Sequence, residues 1–153
     1  PYDRIDIKGK DGRSLKEDWT SFPRTLFGMQ VDGYPNMFMI LGPHTARGNI
    51  PRNIEEVVEW QTDLISFMVE NKFDRVEPKS DAVDEWITTV SKASEGLLSS
   101  KIASWQTGVN RNVEGRSAPR VLGYNGGAVR YRKIIEDVAS REYEEFTFSK
   151  MSQ

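Results

Sequence analysis

The sequence predicts a mixed α and β protein which, taken by itself, would be classed as α+β, with a few strands and three main helices. Three observations lead to this prediction. The apolar run from Met37 to Leu41 is bounded by Pro35 and by Gly42-Pro43, which is typical of a strand covered on both faces. The segment from about 54 to 71 carries apolar residues at helical spacing. Residues 101–125 are rich in Gly, Asn and Ser without periodicity, which predicts a long loop.

Short elements are predicted before the apolar run. Residues 2–8 alternate apolar and polar side chains well enough for a half-exposed strand, and residues 9–12 (Gly-Lys-Asp-Gly) are typical of a turn. Ser14 and Glu17 have the spacing of a capping box, which predicts one helical turn over residues 15–19.

The helix over about 54–71 has the strongest pattern in the chain. Asn53 is its predicted N-cap. Gln61 falls in the middle of the apolar stripe, where a buried polar group needs a partner. We interpret it as a side chain bonded to the backbone, with contact to a cofactor as the alternative. The stripe itself consists of Ile54, Val57, Val58, Leu64, Ile65 and Met68.

The remaining elements alternate between loops and helices. Residues 72–79 are predicted to form a loop that ends at Pro78. A second helix is predicted to begin at Ser80 and to end around Gly96. A third is predicted over about 129–141, and residues 144–148 are predicted to form a short final strand.

Composition limits the possible functions. The 153 residues correspond to one domain, or to one domain's share of a larger protein. The net charge of −2 gives no sign of a nucleic-acid binder, and the absence of cysteine removes disulfides and thiol chemistry. No apolar run approaches the roughly 20 residues of a membrane span, and no signal peptide is visible. A cytoplasmic location is the resulting expectation.

The loop between the apolar run and the main helix is the predicted binding loop, because open α/β sheets bind ligands beyond the carboxyl ends of their strands. The single histidine, His44, lies in it; we interpret it as bonded to backbone, with a general-base role as the alternative. No carboxylate flanks His44, so no metal site is expected. Arg47 and Arg52 could meet a phosphate or carboxylate. No catalytic residue is predicted within the chain.

Several motifs, in order, resemble one known family. They resemble the carboxyl-terminal part of the flavin-dependent Baeyer–Villiger monooxygenases of the cyclohexanone and phenylacetone monooxygenase type, in register over nearly the whole chain. The motifs are Gly-Met-Gln-Val-Asp-Gly-Tyr-Pro-Asn-Met-Phe (28–38), Leu-Gly-Pro (41–43), Asn-Ile-Pro-Arg-Asn-Ile-Glu (49–55), Ala-Ser-Trp-Gln-Thr-Gly-Val-Asn (103–110) and Tyr-Asn-Gly-Gly (124–127).

The resemblance implies a parent protein with two dinucleotide-binding domains that binds FAD and NADPH. Such a parent would use O2 to insert one oxygen atom into a ketone and give an ester or lactone. Residues 1–153 would be a fragment, the carboxyl-terminal part of the FAD-binding domain, which completes an α/β fold together with the rest of the parent chain. The fragment alone is expected to be inactive.

The resemblance also implies roles for particular residues. Asn49 and Ile50 match the positions nearest the flavin. Trp105 matches a residue that contacts NADP, within a mobile loop over 101–125 that closes over the cofactor and excludes water. The four residues that match the substrate-pocket positions are His44, Thr45, Ala46 and Arg47.

Two alternatives stay open at this point. One is a flavin monooxygenase that oxidises nitrogen or sulfur atoms in place of ketones. The other is a stand-alone α+β module whose loop at 42–52 binds a small ligand.

Overall fold

The computed structural model describes residues 4–98, 107–109 and 120–150. Within them, three long helices pack around an aromatic core and a two-stranded antiparallel sheet flanks them, so the segment is an α/β one as predicted. The elements are a 3-10 turn at Lys10–Gly12, α1 (Leu15–Asp18), α2 (Ile50–Glu70), β1 (Arg75–Pro78), α3 (Ser80–Lys92), α4 (Ala128–Ser140) and β2 (Phe146–Ser149).

Helix α2 is four residues longer at its amino end than predicted. Asn49 is its N-cap, since its side-chain oxygen accepts a hydrogen bond from the Arg52 amide at 3.2 Å. The prediction that Asn53 caps the helix is therefore wrong. Asn53 is buried inside the first turn, and its Nδ2 donates to the Ala46 carbonyl at 3.0 Å. The predicted start was too late because Pro51 was placed before the helix, whereas it lies in the first turn, where a helix tolerates proline.

The buried face of α2 is rotated relative to the predicted stripe. Val57, Leu64 and Met68 are buried as predicted. The other three predicted positions, Ile54, Val58 and Ile65, are exposed, and their places in the core are taken by Asn53, Trp60 and Gln61.

The other two long helices are confirmed. Helix α3 begins at Ser80 as predicted but already ends at Lys92, and turns cover the residues up to Gly96. Helix α4 begins at Ala128 and ends at Ser140, so each end lies one residue before its predicted position.

The short final strand is confirmed as β2. The segment that pairs with it, β1, was predicted to be part of a loop. Strand β1 pairs antiparallel with β2, with Val76 opposite Phe148 and Pro78 opposite Phe146. Pro78 is compatible with the sheet because it lies at the end of an edge strand. The two strands are separated by most of the carboxyl-terminal half, so no local pattern in residues 72–79 could indicate the pairing.

Two predicted strands are absent from the described residues. Residues 4–8 contribute a single bridge, between Lys8 and Ser14. Met37–Leu41 is not part of a sheet, and Ile40 is 54% exposed. The helical turn α1 is confirmed, although the Ser14 side chain makes no capping hydrogen bond.

Candidate functional site

The site is built from two parallel extended segments that each lead into a long helix. The His44 amide donates to the Leu122 carbonyl, the Tyr124 amide to Thr45, and the Arg47 amide to Tyr124, at 2.9, 2.9 and 3.2 Å. Helix α2 starts three residues after the first segment, and α4 starts shortly after the second. These two segments, joined by one parallel bridge between Ala46 and Tyr124, therefore lead into helices whose amino termini lie at the same end.

An open groove of about 470 Å³ lies at this end of the pair. Such a volume is within the range of small-molecule sites. We call it the α2 groove; its lining residues are Leu41, Gly42, Thr45, Ala46, Arg47, Gly48, Ile50, Asn53, Leu122 and Gly123.

Glycines let the main chain approach closely on one side of the groove. Gly28 has a φ of +73°, and a Cβ there would lie 2.1 Å from the Thr45 hydroxyl. The Gly42 amide donates to the Gly28 carbonyl at 3.0 Å, and the Thr45 hydroxyl donates to the Gly42 carbonyl at 2.8 Å. Any side chain at Gly28 would therefore displace the segment that forms the wall of the groove.

The groove is electropositive at the start of α2. The first turn of this helix contains no acidic residue, and Pro51 has no amide hydrogen. The Asn49 side chain satisfies the Arg52 amide, which leaves the amide of Ile50 among the donors at the positive end of the helix dipole. Arg47 is exposed at the rim and packs over Gly123, where a Cβ would lie 2.7 Å from its Nε. This arrangement suits an electron-rich or anionic group.

A salt bridge fixes the two helices on the opposite side. Glu56 Oε1 bonds to Arg52 Nε at 3.2 Å and also to Arg132 of α4. At the groove end, a Cβ on Gly48 would lie 3.9 Å from the Ala128 side chain, so the two helix starts are close together. These contacts hold the starts of α2 and α4 together beside the groove.

The His44 ring lies in the core, away from the groove. It is 0% exposed, its Nδ1 is 3.1 Å from the Thr25 hydroxyl, and it stacks on Phe22 with ring centroids 5.2 Å apart. Burial lowers the pKa of His44 to about 4, and the Val121 backbone offsets only part of this effect. The ring is therefore neutral near pH 7, and it interacts both with the Val121 backbone and with the Thr25 hydroxyl.

The Thr25 hydroxyl holds the start of the binding loop. It donates to the Pro43 carbonyl at 2.7 Å and accepts from the Gly28 amide at 3.2 Å. Because its one proton is used by Pro43, the bond to His44 takes its proton from Nδ1 of the ring. Thr25 thus ties the start of the loop, at Pro43 and His44, to the turn at Gly28. It was not singled out from the sequence because a lone threonine carries no pattern.

The structure brings together some of the predicted site residues but not all of them. Thr45, Ala46, Arg47 and Ile50 line the α2 groove. Asn49 sits at its end as the helix cap, and His44 points into the core. Trp105 and most of the predicted loop over 101–125 lie outside the described residues.

Two further features of the described residues bear on function. Across residues 4–98, 107–109 and 120–150, no group of three or more His, Cys, Asp or Glu side chains could hold a metal ion. Among the same residues, none of the helices has the length and apolar character needed to cross a membrane.

Leu122 and Gly123 are groove residues that sequence reasoning missed. They fall in a stretch that was predicted to be loop, and their role depends on pairing with residues 44–47. The following Tyr-Asn-Gly-Gly motif was the available signal, because the turn before α4 needs Gly127, with a φ of +88°.

The fold is that of an α/β segment, and solved structures match it closely. A cyclohexanone monooxygenase from Rhodococcus sp. Phi1 bound to NADP+ superimposes with a TM-score of 0.91 at 33% identity, over 98% of this chain and 28% of the other. A steroid monooxygenase bound to NADP gives a TM-score of 0.86 at 30% identity, over 97% and 27%.

Sequence relatives agree with the structures. A cyclohexanone 1,2-monooxygenase from Acinetobacter sp. and a phenazine N-monooxygenase from Lysobacter antibioticus are each 37% identical over 145 residues, which is 95% of this chain. No protein-family model matches. The chain belongs to the Baeyer–Villiger-type flavin monooxygenases and is a segment of such a protein. It spans about a quarter (26%) of the length of these relatives.

Proposed function

We propose that the parent protein is an FAD- and NADPH-dependent monooxygenase that inserts one oxygen atom from O2 into a ketone to give an ester or lactone. The match to cyclohexanone monooxygenase structures over nearly the whole chain carries this proposal. In it, residues 1–153 are the carboxyl-terminal part of the FAD-binding domain and contribute no catalytic residue. The cytoplasmic location expected from composition stays a prediction.

The α2 groove has the chemistry that one edge of a flavin ring requires. A flavin presents electron-rich carbonyl oxygens, and the start of α2 offers main-chain amide donors at a positive helix end. Close approach of a flat ring needs a wall without bulky side chains, and Gly48, where a Cβ would meet no atom closer than 3.8 Å, provides one. We assign Asn49 and Ile50 to contact with the flavin, in agreement with the residues present.

Bound FAD would supply the redox chemistry with O2 and the reducing cofactor. The chain's own residues would bind the ring edge, fix its orientation through the rigid α2–α4 pair, and exclude water. Thr45, Ala46 and Arg47 would border the substrate pocket. His44 would act on that pocket indirectly, because its buried ring holds the loop through Thr25. For Trp105 and the loop over 101–125, contact with NADP and closure over the cofactor remain proposals.

Oxygenation of an aromatic nitrogen is the second candidate. The phenazine N-monooxygenase relative is as similar to this chain as the cyclohexanone enzyme, at 37% identity over 145 residues.

The test uses the purified full-length parent. We expect it to carry FAD, seen as flavin absorbance that remains after desalting, and to oxidise NADPH faster when cyclohexanone is added. The product should be a lactone containing one atom from labelled O2. Phenazine is the parallel substrate: formation of an N-oxide without any lactone would favour the second candidate. A parent that holds no flavin, even after incubation with FAD, would refute both candidates.

A further inference from the structure

Two consecutive residues next to the binding loop have a left-handed backbone. Phe27 and Gly28 have φ angles of +54° and +73°, and they are the central residues of a tight turn. The Met29 amide closes this turn by donating to the Leu26 carbonyl at 2.9 Å. Turns with two positive φ angles favour asparagine or aspartate followed by glycine. Phenylalanine at the first position is therefore strained, and contacts from outside the turn must stabilise it.

The peptide group between Phe27 and Gly28 is fixed at both ends by side chains. Its carbonyl accepts a 2.7 Å hydrogen bond from the Tyr131 hydroxyl. Its amide donates to the Thr25 hydroxyl at 3.2 Å. Within the part of the chain that the structure describes, no main-chain amide bonds to the Phe27 carbonyl. Because Tyr131 is buried, loss of its hydroxyl would leave a buried carbonyl without a donor.

Tyr131 connects this turn to the two helices beside the groove. It lies in the first turn of α4, close to where the starts of α4 and α2 meet. Helix α2 is bonded to α4 in turn, since the Trp60 indole donates to the Ile135 carbonyl at 2.7 Å. Burial raises the pKa of Tyr131, and Glu56 acts in the same direction, so the hydroxyl keeps the proton that it donates.

The turn in turn contacts the loop that lines the α2 groove. The Gly28 carbonyl accepts a 3.0 Å hydrogen bond from the Gly42 amide. On its other side Gly28 is packed so closely that a Cβ would lie 2.6 Å from the Thr45 amide nitrogen. Both Gly42 and Thr45 line the groove. A rotation of the Phe27–Gly28 peptide group would therefore displace the wall of the groove.

We propose that Tyr131 is a positioning residue for the flavin site: its hydroxyl fixes the Phe27–Gly28 peptide group and thereby holds residues 42–45 in the shape that binds the flavin. Tyr131 is not among the described residues that line the α2 groove, so it acts through the loop and not by contact. This inference rests on the proposed binding of FAD at the groove, and it adds a residue that neither the motifs nor the groove lining indicates.

The test compares two tyrosine-to-phenylalanine variants of the full-length parent. Tyr131→Phe removes the hydrogen bond to Phe27. Tyr34→Phe is the matched control, because it removes an equally short bond, 2.7 Å to Asp18, in a separate core cluster. Titration of the apoprotein, followed by flavin fluorescence, should show at least about a tenfold loss of FAD affinity in Tyr131→Phe and less than about twofold in the control. Equal affinities in the two variants would overturn the inference.

The visible absorbance spectrum at saturating FAD distinguishes positioning from stability. The spectrum of the bound flavin should change in Tyr131→Phe, because the groove wall has moved, and should match that of the unmodified parent in Tyr34→Phe. A role in stability alone would leave both spectra unchanged, and that result would overturn the inference. A parent that binds no FAD at all would refute the proposed function itself, so the two failures are distinguishable.

Hydrogen exchange on the apoprotein measures the loop without any flavin. Mass spectrometry of a peptide that contains Gly42 should show exchange at least about tenfold faster in Tyr131→Phe than in the unmodified parent, because the Gly28 carbonyl no longer holds the Gly42 amide. The same peptide should exchange at the unmodified rate in Tyr34→Phe. An unchanged rate in Tyr131→Phe would overturn the inference even if that variant bound FAD more weakly.

Discussion

The carboxamide of Gln61 donates a 2.8 Å hydrogen bond to the main-chain oxygen of Met39. Both groups are buried, so the bond joins the middle of α2 to the apolar segment before the binding loop. This is the backbone-bonded role expected for Gln61 from its place in the stripe. It also helps to position the loop, because Leu41 and Gly42 at the groove lie two and three residues after Met39.

Replacing Gln61 by leucine is expected to destabilise the protein by about 1–3 kcal/mol, because a buried carbonyl loses its donor. Urea unfolding followed by circular dichroism measures the change. Thr62→Val is the matched control, since the Thr62 hydroxyl is exposed and bonds only within its own helix. A Gln61→Leu protein as stable as the control would show that the Met39 carbonyl finds another donor.

Two asparagines near the start of α2 should respond very differently to a negative charge. Asn49→Asp is expected to change stability by less than about 0.5 kcal/mol, because aspartate is also a good N-cap and favours the positive helix end. Asn53→Asp is expected to cost at least about 3 kcal/mol, because it places a charge in a buried site and replaces the donor to the Ala46 carbonyl. Thermal unfolding of the two variants provides the comparison. The reverse order would restore Asn53 as the cap.

The pH dependence of stability should contain a contribution from His44. Its pKa in the folded state is about 4, below the ordinary value of 6.5, so the unfolded state binds the proton more readily. The stability due to the neutral ring is thus complete above pH 6.5 and is lost as the pH falls towards 4, by up to about 3 kcal/mol.

Urea unfolding at several pH values between 7 and 4 tests this dependence. In His44→Gln the extra loss of stability at low pH should disappear, whatever its stability at pH 7. His44 is the single histidine, so no other imidazole contributes to the difference. Parallel pH profiles for the two proteins would mean that the ring is protonated equally in both states.

The structural features that could be predicted from the sequence are those caused by residues near one another in the chain. Helices α3 and α4 have apolar residues at regular spacing, so their existence was predictable from periodicity alone. The face of α2 was not, because Trp60 and Gln61 are drawn inward by distant partners, the Ile135 and Met39 carbonyls. Strand β1 and the 44–47 pairing with 122–124 likewise depend on contacts far along the chain.

The same difference between local and distant causes applies to the candidate site. The position of the binding loop followed from glycine, proline and the apolar run. The inward orientation of His44 did not, because it results from the Thr25 hydroxyl and the Phe22 ring, which are about twenty residues away in the sequence. A resemblance between motifs aligns positions along the chain and carries no information about which side of a loop a ring faces.

Gly28→Ala should weaken both folding and flavin binding. Gly12→Ala is the matched control. Both glycines have nearly the same positive φ, +73° and +74°, so alanine carries a similar backbone penalty of about 1 kcal/mol at each position. At Gly12 a Cβ would meet nothing within 4 Å. At Gly28 it would lie 2.1 Å from Thr45 Oγ1 and 2.6 Å from the Thr45 amide nitrogen.

Because the Thr45 backbone cannot move without displacing Gly42 and Ala46, the additional cost of Gly28→Ala should fall on the α2 groove. In the full-length parent we expect Gly12→Ala to retain FAD like the unmodified protein, and Gly28→Ala to lose at least about tenfold in affinity, or about 1.4 kcal/mol. Flavin fluorescence on titration of the apoprotein measures the affinity, and urea unfolding measures stability. Equal losses in the two variants would attribute the effect to backbone strain alone, and the wall of the groove would then have no part in flavin binding.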